Sequence, residues 1–563
     1  MGFFSSRNSS FLGISLAFSS LLGCAQVEQG SEPELGEQEQ AVEDSSQNKT
    51  KKPTKAQIEH GRELWLKETF GGEKFFSLVM PHPPFELVLG LDVALQSPRA
   101  SRFTHWGVVN DPDCEPGDAS TFGFDKCKDP NSAGVVGVRK FPNSGYNAAL
   151  PTSPTNTPVL LGVACAGCHA GLDPQNPPQN PNAPSWDNIH LTTGNQYDQI
   201  GKIFGAHQTP SSPRYQVFNS WAPGTVDTTA IENDGINNPG TITQFYEFDK
   251  RPFFDHHLLG QLANAHRAGQ GGEDDVGCEL ASTRVYFNIG MCASECMVSH
   301  LGNGQSPIDL AQCERDCADF RRAKVGVVDL CAFILDAKST PTPQLAKAPS
   351  GKQYLDNQAS KRGAAVFDAN CASCHSSGQK DGQNSWSNDL PLLAGSFNAA
   401  SGEAPGSIGT HKCRALSTNW LGGKIWAAFS SDELKARGPG FYKTLPLLGV
   451  WATAPFFHNN RLGLFNNDPS VAGRIAAFEN AFELLLNPST RDFNGSIQRA
   501  SVAVTLPSGA TVPAGTPVNA FANVNPQTGV NACPEYVENG GHYFGAGLSV
   551  DDKRALREFL KTL

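Results

Sequence analysis

Two short stretches with the same pattern could carry chemistry: residues 165–169 (Cys-Ala-Gly-Cys-His) and residues 371–375 (Cys-Ala-Ser-Cys-His). In a Cys-x-x-Cys-His sequence, the two thiols can add across the vinyl groups of a haem, and the imidazole that follows can ligate its iron. A dithiol redox pair does not require the histidine, and a zinc site requires a second close pair of ligands. Since the pattern occurs twice, the sequence predicts two covalently bound c-type haems. The predicted cofactor-binding residues are Cys165, Cys168, His169, Cys371, Cys374 and His375, with His169 and His375 as iron ligands.

The N-terminus has the pattern of an export signal. Arg7 precedes an apolar run, residues 11–23, which is too short to cross a bilayer as a helix. The small residue before Cys24 resembles the lipobox of bacterial lipoproteins, in which the cysteine becomes the lipidated N-terminus. An ordinary cleaved signal is the alternative. We expect a lipoprotein signal peptide at residues 1–23 and a mature chain in the periplasm or cell envelope, or secreted.

Cysteine usage favours the same oxidising compartment. The chain has 15 cysteines, and ten remain after Cys24 and the four haem thiols are set aside, enough for up to five disulfides. Cys114 and Cys127 could close a local loop. The pairing of four other cysteines stays open among three possibilities: Cys278, Cys331, Cys413 and Cys533.

The remaining four cysteines predict a helical hairpin that ends by Leu335. Cys292 and Cys296 are spaced to lie on one helical face, as are Cys313 and Cys317, and residues 302–304 (Gly-Asn-Gly) offer a turn between them. We therefore expect two antiparallel helices joined by the disulfides Cys292–Cys317 and Cys296–Cys313.

Around the two motifs we expect a mainly α protein with two cytochrome c-like haem domains, long irregular insertions and a small β-hairpin. Glycine (56) and proline (39) are abundant, which favours loops. Residues 24–54 are polar and read as a flexible tether, and residues 339–353, which begin Ser-Thr-Pro-Thr-Pro, read as a linker. These segments delimit an N-terminal haem domain at 55–338, which carries the disulfide-joined hairpin, and a C-terminal one at 354–563.

Two predicted helices flank the second motif. Residues 363–367 (Gly-Ala-Ala-Val-Phe) read as a helix that leads into it. Ser549 is placed to cap a closing helix, with Asp552 at its third position. The apolar residues of that closing helix form one stripe: Leu556, Phe559, Leu560 and Leu563. The small hairpin is expected within residues 500–530, where apolar residues alternate.

The net charge of −11 argues against a nucleic-acid partner, because a phosphate binder needs a basic face. An acidic surface suits a small basic redox protein, although it is also the ordinary surface of a soluble protein. We expect contact with a membrane only through a lipid at Cys24.

Beyond the second motif, residues 437–442 (Arg-Gly-Pro-Gly-Phe-Tyr) and 448–460 (Leu-Gly-Val-Trp-Ala-Thr-Ala-Pro-Phe-Phe-His-Asn-Asn) resemble the segment after the second haem of bacterial dihaem cytochrome c peroxidases and of the methylamine-utilisation enzyme MauG. The closing Asn-Asn, the Gly-Pro-Gly, residues 541–545 (Gly-His-Tyr-Phe-Gly) and residues 284–290 (Arg-Val-Tyr-Phe-Asn-Ile-Gly) are similar to the rubber oxygenase-like branch of that superfamily. The paired cysteines and the modest length of the chain depart from that branch, which leaves the substrate open.

The resemblance implies a division of labour between the two haems. The haem of His375 is expected to be six-coordinate and to relay electrons, and the haem of His169 to keep an open or labile position for peroxide or dioxygen. The peroxidases place a Met, MauG a Tyr and the rubber oxygenases a His opposite the second proximal ligand. All four methionines precede the second motif, which excludes a Met ligand: Met1, Met80, Met291 and Met297. The resemblance points to His542 as this metal ligand, and His411 and His458 compete with it.

For the first haem, His190 and His207 lie where a labile ligand could come from. The rubber oxygenase-like resemblance implies instead an open face lined by Phe287, which could equally be a core aromatic. Trp221 and Trp451 are predicted near or between the haems, with an ordinary core role as the alternative.

These features predict a haem-dependent oxidoreductase with peroxide or dioxygen chemistry, similar to cytochrome c peroxidase. One alternative is an oxygenase that cleaves an apolar, polyisoprene-type alkene. The other is an electron-transfer cytochrome that catalyses nothing.

Overall fold

The computed structural model describes residues 52–82, 86–118, 122–153, 156–227, 237–247, 278–279, 282–283, 286, 290–292, 314–372, 375, 408–414, 447–525 and 528–563, and the backbone alone at 391–393 and 441–443. Within the chain, Pro53–Leu563 forms one compact unit. The predicted signal peptide and almost all of the tether lie outside the described residues, so those predictions stand as they are. No described helix has both the length and the apolar character that crossing a membrane requires.

Helices dominate the described secondary structure, in agreement with the predicted mainly α class. The α-helices are α1 (Lys55–Lys67), α2 (Gly72–Lys74), α3 (Leu91–Gln96), α4 (Arg99–Trp106), α5 (Ala166–His169), α6 (Ile200–Gly205), α7 (Pro213–Asn219), α8 (Ala318–Ile334), α9 (Asn357–Asn370), α10 (Val471–Leu486), α11 (Asn519–Ala522) and α12 (Val550–Leu560). A π-helical turn spans Phe75–Val79, and 3₁₀ turns span Trp186–Asn188, Leu345–Lys347, Gly351–Tyr354, Val450–Ala452 and Pro488–Thr490.

The strands of the described chain form two-stranded antiparallel pairs rather than a larger sheet. They are β1 (Cys114–Glu115) with β2 (Lys126–Cys127), β3 (Val138–Pro142) with β4 (Val159–Val163), β5 (Gly171–Leu172) with β6 (Ile189–His190), β7 (Thr225–Val226) with β8 (Gly240–Thr241), β9 (Pro391–Leu393) with β10 (Phe441–Lys443), and β11 (Val504–Thr505) with β12 (Thr511–Val512). The last pair is the hairpin predicted within residues 500–530.

Helices α1 and α8 pack together in the N-terminal half and contribute to a large apolar cluster that also contains the first Cys-x-x-Cys-His motif. Their close approach depends on Gly61, where an added Cβ would collide with the carbonyl oxygen of Asp329 in α8. Helix α1 begins with a reciprocal cap, in which the Thr54 side chain accepts from the Gln57 amide and the Gln57 side chain accepts from the Thr54 amide.

Helices α9 and α12 form the corresponding pair in the C-terminal half. Here Gly363 allows the contact, because its Cβ would collide with the carbonyl oxygen of Ala555. The Ser549 side chain accepts from the Asp552 amide, and the predicted apolar stripe of the closing helix is buried in a second cluster that also contains α10. The predicted closing helix is therefore confirmed, and the predicted helix at 363–367 lies within α9.

Four disulfides join described cysteines: Cys114–Cys127, Cys278–Cys331, Cys292–Cys317 and Cys413–Cys533. The predicted Cys114–Cys127 and Cys292–Cys317 pairings are confirmed, and the pairing left open is now assigned. Cys296 and Cys313 lie outside the described residues.

The expected helical hairpin needs one correction. Cys317 is not inside a helix; it is the N-cap of α8, and its sulfur accepts from the Phe320 amide. Its extended backbone interrupts the helix that the i, i+4 spacing predicted, because Cys317 makes this N-cap hydrogen bond instead. The other end agrees with the prediction, since α8 ends at Ile334 and Leu335 is its C-cap.

Residues 339–353, predicted to link two domains, pack closely against both halves of the unit. Thr340 is fully buried. The Pro341 carbonyl oxygen lies 2.9 Å from His190 Nε2, and the Pro343 carbonyl oxygen accepts from the indole of Trp451 at 3.0 Å. The boundaries of the two predicted haem domains remain a prediction.

Candidate haem sites

The second motif begins at the C-terminal end of α9. The Cys371 amide donates to the Phe367 carbonyl, and the His375 amide donates to the Cys371 carbonyl at 2.9 Å. This helical turn places Cys371 and His375 on the same side of the chain. Cys371 remains a thiol. Cys374 lies outside the described residues.

A cavity of about 410 Å³ opens beside this motif and is lined mainly by apolar side chains. Its walls include Phe367 of α9, Leu485 of α10 and Leu556 of α12, together with Cys371 and His375. A flat apolar macrocycle that carries thioether bonds and an axial ligand requires such a lining. The residues present therefore fit a covalently bound haem.

His542 lies across this cavity from the motif, with its ring centroid 6.1 Å from that of His375. Two imidazoles that share one metal ion would have centroids roughly 6 Å apart, because each metal–nitrogen bond is about 2 Å. Burial, and then the neighbouring His375, lower the pKa of His542 to about 4, so the ring is neutral near pH 7 and able to ligate a metal. Its buried Nδ1 has no hydrogen-bond partner among the described residues.

The competing histidines are arranged differently. The rings of His411 and His458 stack on each other with centroids 6.4 Å apart. His411 Nε2 lies 3.3 Å from the Glu535 carbonyl oxygen. His458 lines the cavity, and burial, followed by its neighbours, holds its pKa well below the usual value. Of the three predicted sixth ligands, the structure brings the His542 ring to His375.

The first motif occupies the short helix α5. The His169 amide donates to the Cys165 carbonyl, and His169 Nδ1 lies 2.9 Å from the carbonyl oxygen of Thr243. A carbonyl can only accept, so Nδ1 carries the proton and Nε2 keeps its lone pair for a metal. Burial lowers the pKa of His169 to about 4, which also keeps the ring neutral. The rings of Trp65 and Phe245 pack against it.

Cys165 and Cys168 remain thiols, although eight other described cysteines are paired. Burial raises the pKa of Cys165 to about 11 and also raises the pKa of Cys168. A dithiol redox pair depends on a lowered thiol pKa, so these two residues favour haem attachment over that role.

Tyr286 contacts the same motif from a distant part of the chain. Its hydroxyl lies 3.2 Å from the Cys165 sulfur, and its ring packs edge-on against Phe70. Tyr286 belongs to the block 284–290 that carries part of the family resemblance. Phe287 itself, the predicted residue of the open face, lies outside the described residues.

The two histidines from which a labile ligand of the first haem could come have other hydrogen-bond partners. His190 Nε2 bonds with the Pro341 carbonyl, and its Nδ1 accepts from the Thr192 amide at 3.3 Å. His207 Nε2 lies 2.8 Å from a carboxylate oxygen of Asp92.

Trp221 and Trp451 are both buried with their indole N–H groups engaged. Trp221 donates to Asn237 Oδ1 at 2.9 Å and packs against Phe218. Trp451 is fully buried, and the residues on either side of it, Val450 and Ala452, line the cavity. The core alternative describes both side chains well.

The two sites share a wall that the sequence did not reveal. Thr243, whose carbonyl holds His169, also lines the cavity beside His375. Gln196 lines the same cavity and donates to the Ala452 carbonyl at 2.7 Å. A backbone carbonyl leaves no mark on a sequence, because any residue at position 243 would supply one.

Comparison with protein families identifies part of the C-terminal half. The family model described as Cytochrome c matches residues 360–428, a stretch that starts within α9 and contains the second motif. No curated protein matches the chain. Residues 360–428 thus contain a cytochrome c domain, which implies a covalently bound c-type haem with its iron and haem-based electron transfer.

Proposed function

We propose that this protein is an exported dihaem c-type cytochrome in which the haem of His375 and His542 passes electrons to a reactive haem at His169. The observation that carries the proposal concerns Thr243. Its carbonyl oxygen accepts the Nδ1 hydrogen of His169, and the same residue lines the cavity of the second site.

The proposal of a haem at the first motif, in addition to the one at the second, rests on how the first motif is built. Its two thiols are neutral and outside any disulfide, and its imidazole is oriented by a carbonyl acceptor, a common arrangement for metal-binding histidines. Cys371 of the second motif is likewise outside any disulfide, and there the family match supports a haem. Coordination by two histidines would give the second haem a low potential, suited to donating electrons.

The reaction proposed at His169 is the reduction of peroxide to water, which consumes two electrons and two protons. Bound c-type haem supplies one-electron transfer and an iron position that can take peroxide or dioxygen. The chain orients His169 through Thr243 and surrounds it with Trp65 and Phe245, which keep water from its ring. His190 and His207 have their own hydrogen-bond partners, which favours an open position over a labile histidine from either residue.

An alternative is dioxygen-dependent cleavage of an apolar, polyisoprene-type alkene. The placement of Tyr286 favours it, because this residue brings the rubber oxygenase-like block to Cys165. A carrier with two six-coordinate haems is the third proposal, and the cytochrome c match is compatible with it.

Four disulfides among the described cysteines support export to an oxidising compartment. We propose the periplasm or cell envelope, with a lipid at Cys24 as the membrane attachment. A small redox protein is the proposed electron partner.

Spectroscopy of the purified protein tests the proposal. Pyridine haemochrome analysis should give two haems per chain, and the isolated protein should contain one low-spin haem and one that responds to peroxide, or to carbon monoxide after reduction. A stable oxy form that reacts with an alkene would favour the oxygenase. Two low-spin haems that ignore peroxide, dioxygen and carbon monoxide would leave only the carrier.

A further inference from the structure

Arg491 is buried directly behind the loop that carries His542. Its Nη1 donates to the Gly541 carbonyl at 2.6 Å and to the Asn539 carbonyl at 3.0 Å. Gly541 immediately precedes His542 in the chain, and Asn539 lies in the same loop. The guanidinium also lies over the rings of Phe457 and Tyr543, at 5.6 and 5.2 Å from their centroids.

The opposite side of the same guanidinium holds the end of a helix. Nε donates to the Leu484 carbonyl at 2.8 Å, and Nη2 donates to the Leu485 carbonyl at 3.0 Å. Both carbonyls belong to the last turn of α10, where backbone acceptors have no partner within the helix and a cation is favoured. One planar side chain therefore joins the end of α10 to the loop before His542.

The loop needs an external constraint because its conformation is unfavourable. His542 has φ of 51°, a left-handed conformation that residues with a Cβ rarely adopt. Gly541 precedes it with φ of 83°, and a Cβ there would collide with the Thr410 amide. A further bond, from the His542 amide to the Ile408 carbonyl at 2.6 Å, fixes the other side of the loop.

We propose that Arg491 is a positioning residue that holds His542 at the iron of the second haem and thereby sets how readily an outside ligand replaces it. This inference rests on the ligation of that haem by His542 given above. Arg491 acts by fixing the two carbonyls before the ligand, while α10 provides the rigid support. Its planar fork suits this task, since a lysine has no fixed fork with which to hold both sides.

The test compares Arg491→Gln with Arg474→Gln. Arg474 lies in α10, is fully buried and bonds mainly with backbone carbonyls, of Ala454 and Asn466, so it controls for the loss of a buried arginine. Haem content, melting temperature and the rate of cyanide binding to the second haem are measured in each variant. We expect two haems in both variants and a similar fall in melting temperature. Cyanide binding should be faster only in Arg491→Gln, by roughly 10–100-fold, the usual effect of losing a partner behind a metal ligand.

Two further measurements separate the possible failures. Arg491→Lys should show an intermediate rate, and added imidazole should return any high-spin fraction of Arg491→Gln to low spin. If Arg491→Gln binds cyanide no faster than Arg474→Gln, the positioning role is wrong while the haem ligation stands. If His542→Ala leaves the low-spin spectrum of the second haem unchanged, the proposed ligation itself fails. Should Arg491→Gln not fold, a rate in Arg491→Lys equal to that of the unchanged protein would equally overturn the role.

Discussion

The two Cys-x-x-Cys-His motifs have the same pattern but different surroundings. At the first motif, the His169 ring packs against Trp65 and Phe245 and is oriented by the Thr243 carbonyl. At the second, the His375 ring faces His542 across an apolar cavity. The same pentapeptide therefore lies in two different surroundings, and in each of them residues distant in sequence decide what faces the histidine.

The helices that support the two motifs nevertheless have a feature in common. Each motif lies near a helix pair that crosses at a glycine, Gly61 between α1 and α8 and Gly363 between α9 and α12. In both pairs a carbonyl of the partner helix occupies the space that a Cβ would need. The two halves of the compact unit thus resemble each other in scaffold and differ in what faces the histidine.

The largest expected effect follows from removing the thiols of one motif at a time. Replacement of Cys371 and Cys374 by alanine should abolish the second haem, because both thioether bonds are lost, and leave the first in place. Replacement of Cys165 and Cys168 should do the reverse. Pyridine haemochrome analysis should fall from two haems per chain to one in each case. Two haems remaining in either variant would contradict the assignment of that motif.

Replacement of His542, the proposed sixth ligand, should separate the two sites spectroscopically. His542→Ala should convert the second haem to a high-spin form that imidazole or cyanide returns to low spin, since its iron loses one of two nitrogen ligands. His411→Ala is the matched control, because its ring stacks on His458 rather than on His375. A high-spin signal in the control and none in His542→Ala would transfer the role to His411.

An added side chain at the contact between α9 and α12 should destabilise the C-terminal half. Gly363→Ala places a Cβ against the Ala555 carbonyl, and overpacking of this kind costs about 1–3 kcal/mol. Gly547→Ala is the control, since a Cβ there would meet no other atom within 4 Å. Urea unfolding followed by circular dichroism measures both variants. Equal stability of the two would show that α9 and α12 can separate at little cost.

The smallest expected effect concerns His207, which bonds with Asp92 at the edge of the N-terminal half. Its hydrogen bond with Asp92 raises its pKa, so the pair contributes stability below the pKa of the unfolded chain and loses it as pH rises through the folded-state pKa. The contribution should stay below about 1 kcal/mol, because the pair is near the surface. Urea unfolding at pH 6 and pH 8 should show this difference in the unchanged protein and not in His207→Gln. A changed haem spectrum in that variant would instead support iron ligation.

The sequence predicted those parts of the molecule that local spacing encodes. The closing helix followed from Ser549 and its apolar stripe, and the bond between Cys114 and Cys127 followed from their separation along the chain. Cys317 shows the limit of spacing, since i, i+4 geometry could not distinguish a residue inside a helix from the N-cap of the next one.

The site was predictable where a side chain with distinctive chemistry supplies the contact. The prediction of His542 as an iron ligand came from a family resemblance and from the absence of a methionine after the second motif, and the structure brings its ring to that of His375. The contribution of Arg491 was not predictable, because it acts on the carbonyls of Leu484, Leu485 and Gly541, which any residue at those positions would offer. The engagement of His190 by the Pro341 carbonyl was hidden for the same reason. His207 bonds instead with the carboxylate of Asp92, and local spacing does not encode a pair so far apart in sequence.

The Thr243 carbonyl has a consequence for any mutational screen of this protein. Because the contact with His169 comes from the main chain, a library that samples every side chain at position 243 would leave it in place. Such a library would score the position as tolerant and miss the contact. The screen would detect the contact indirectly, at Gly194, which packs against this segment. An added Cβ there would collide with the Ile242 carbonyl and press against the Thr243 backbone. Mutational intolerance at Gly194, rather than at Thr243, would therefore be the genetic evidence for the wall between the two sites.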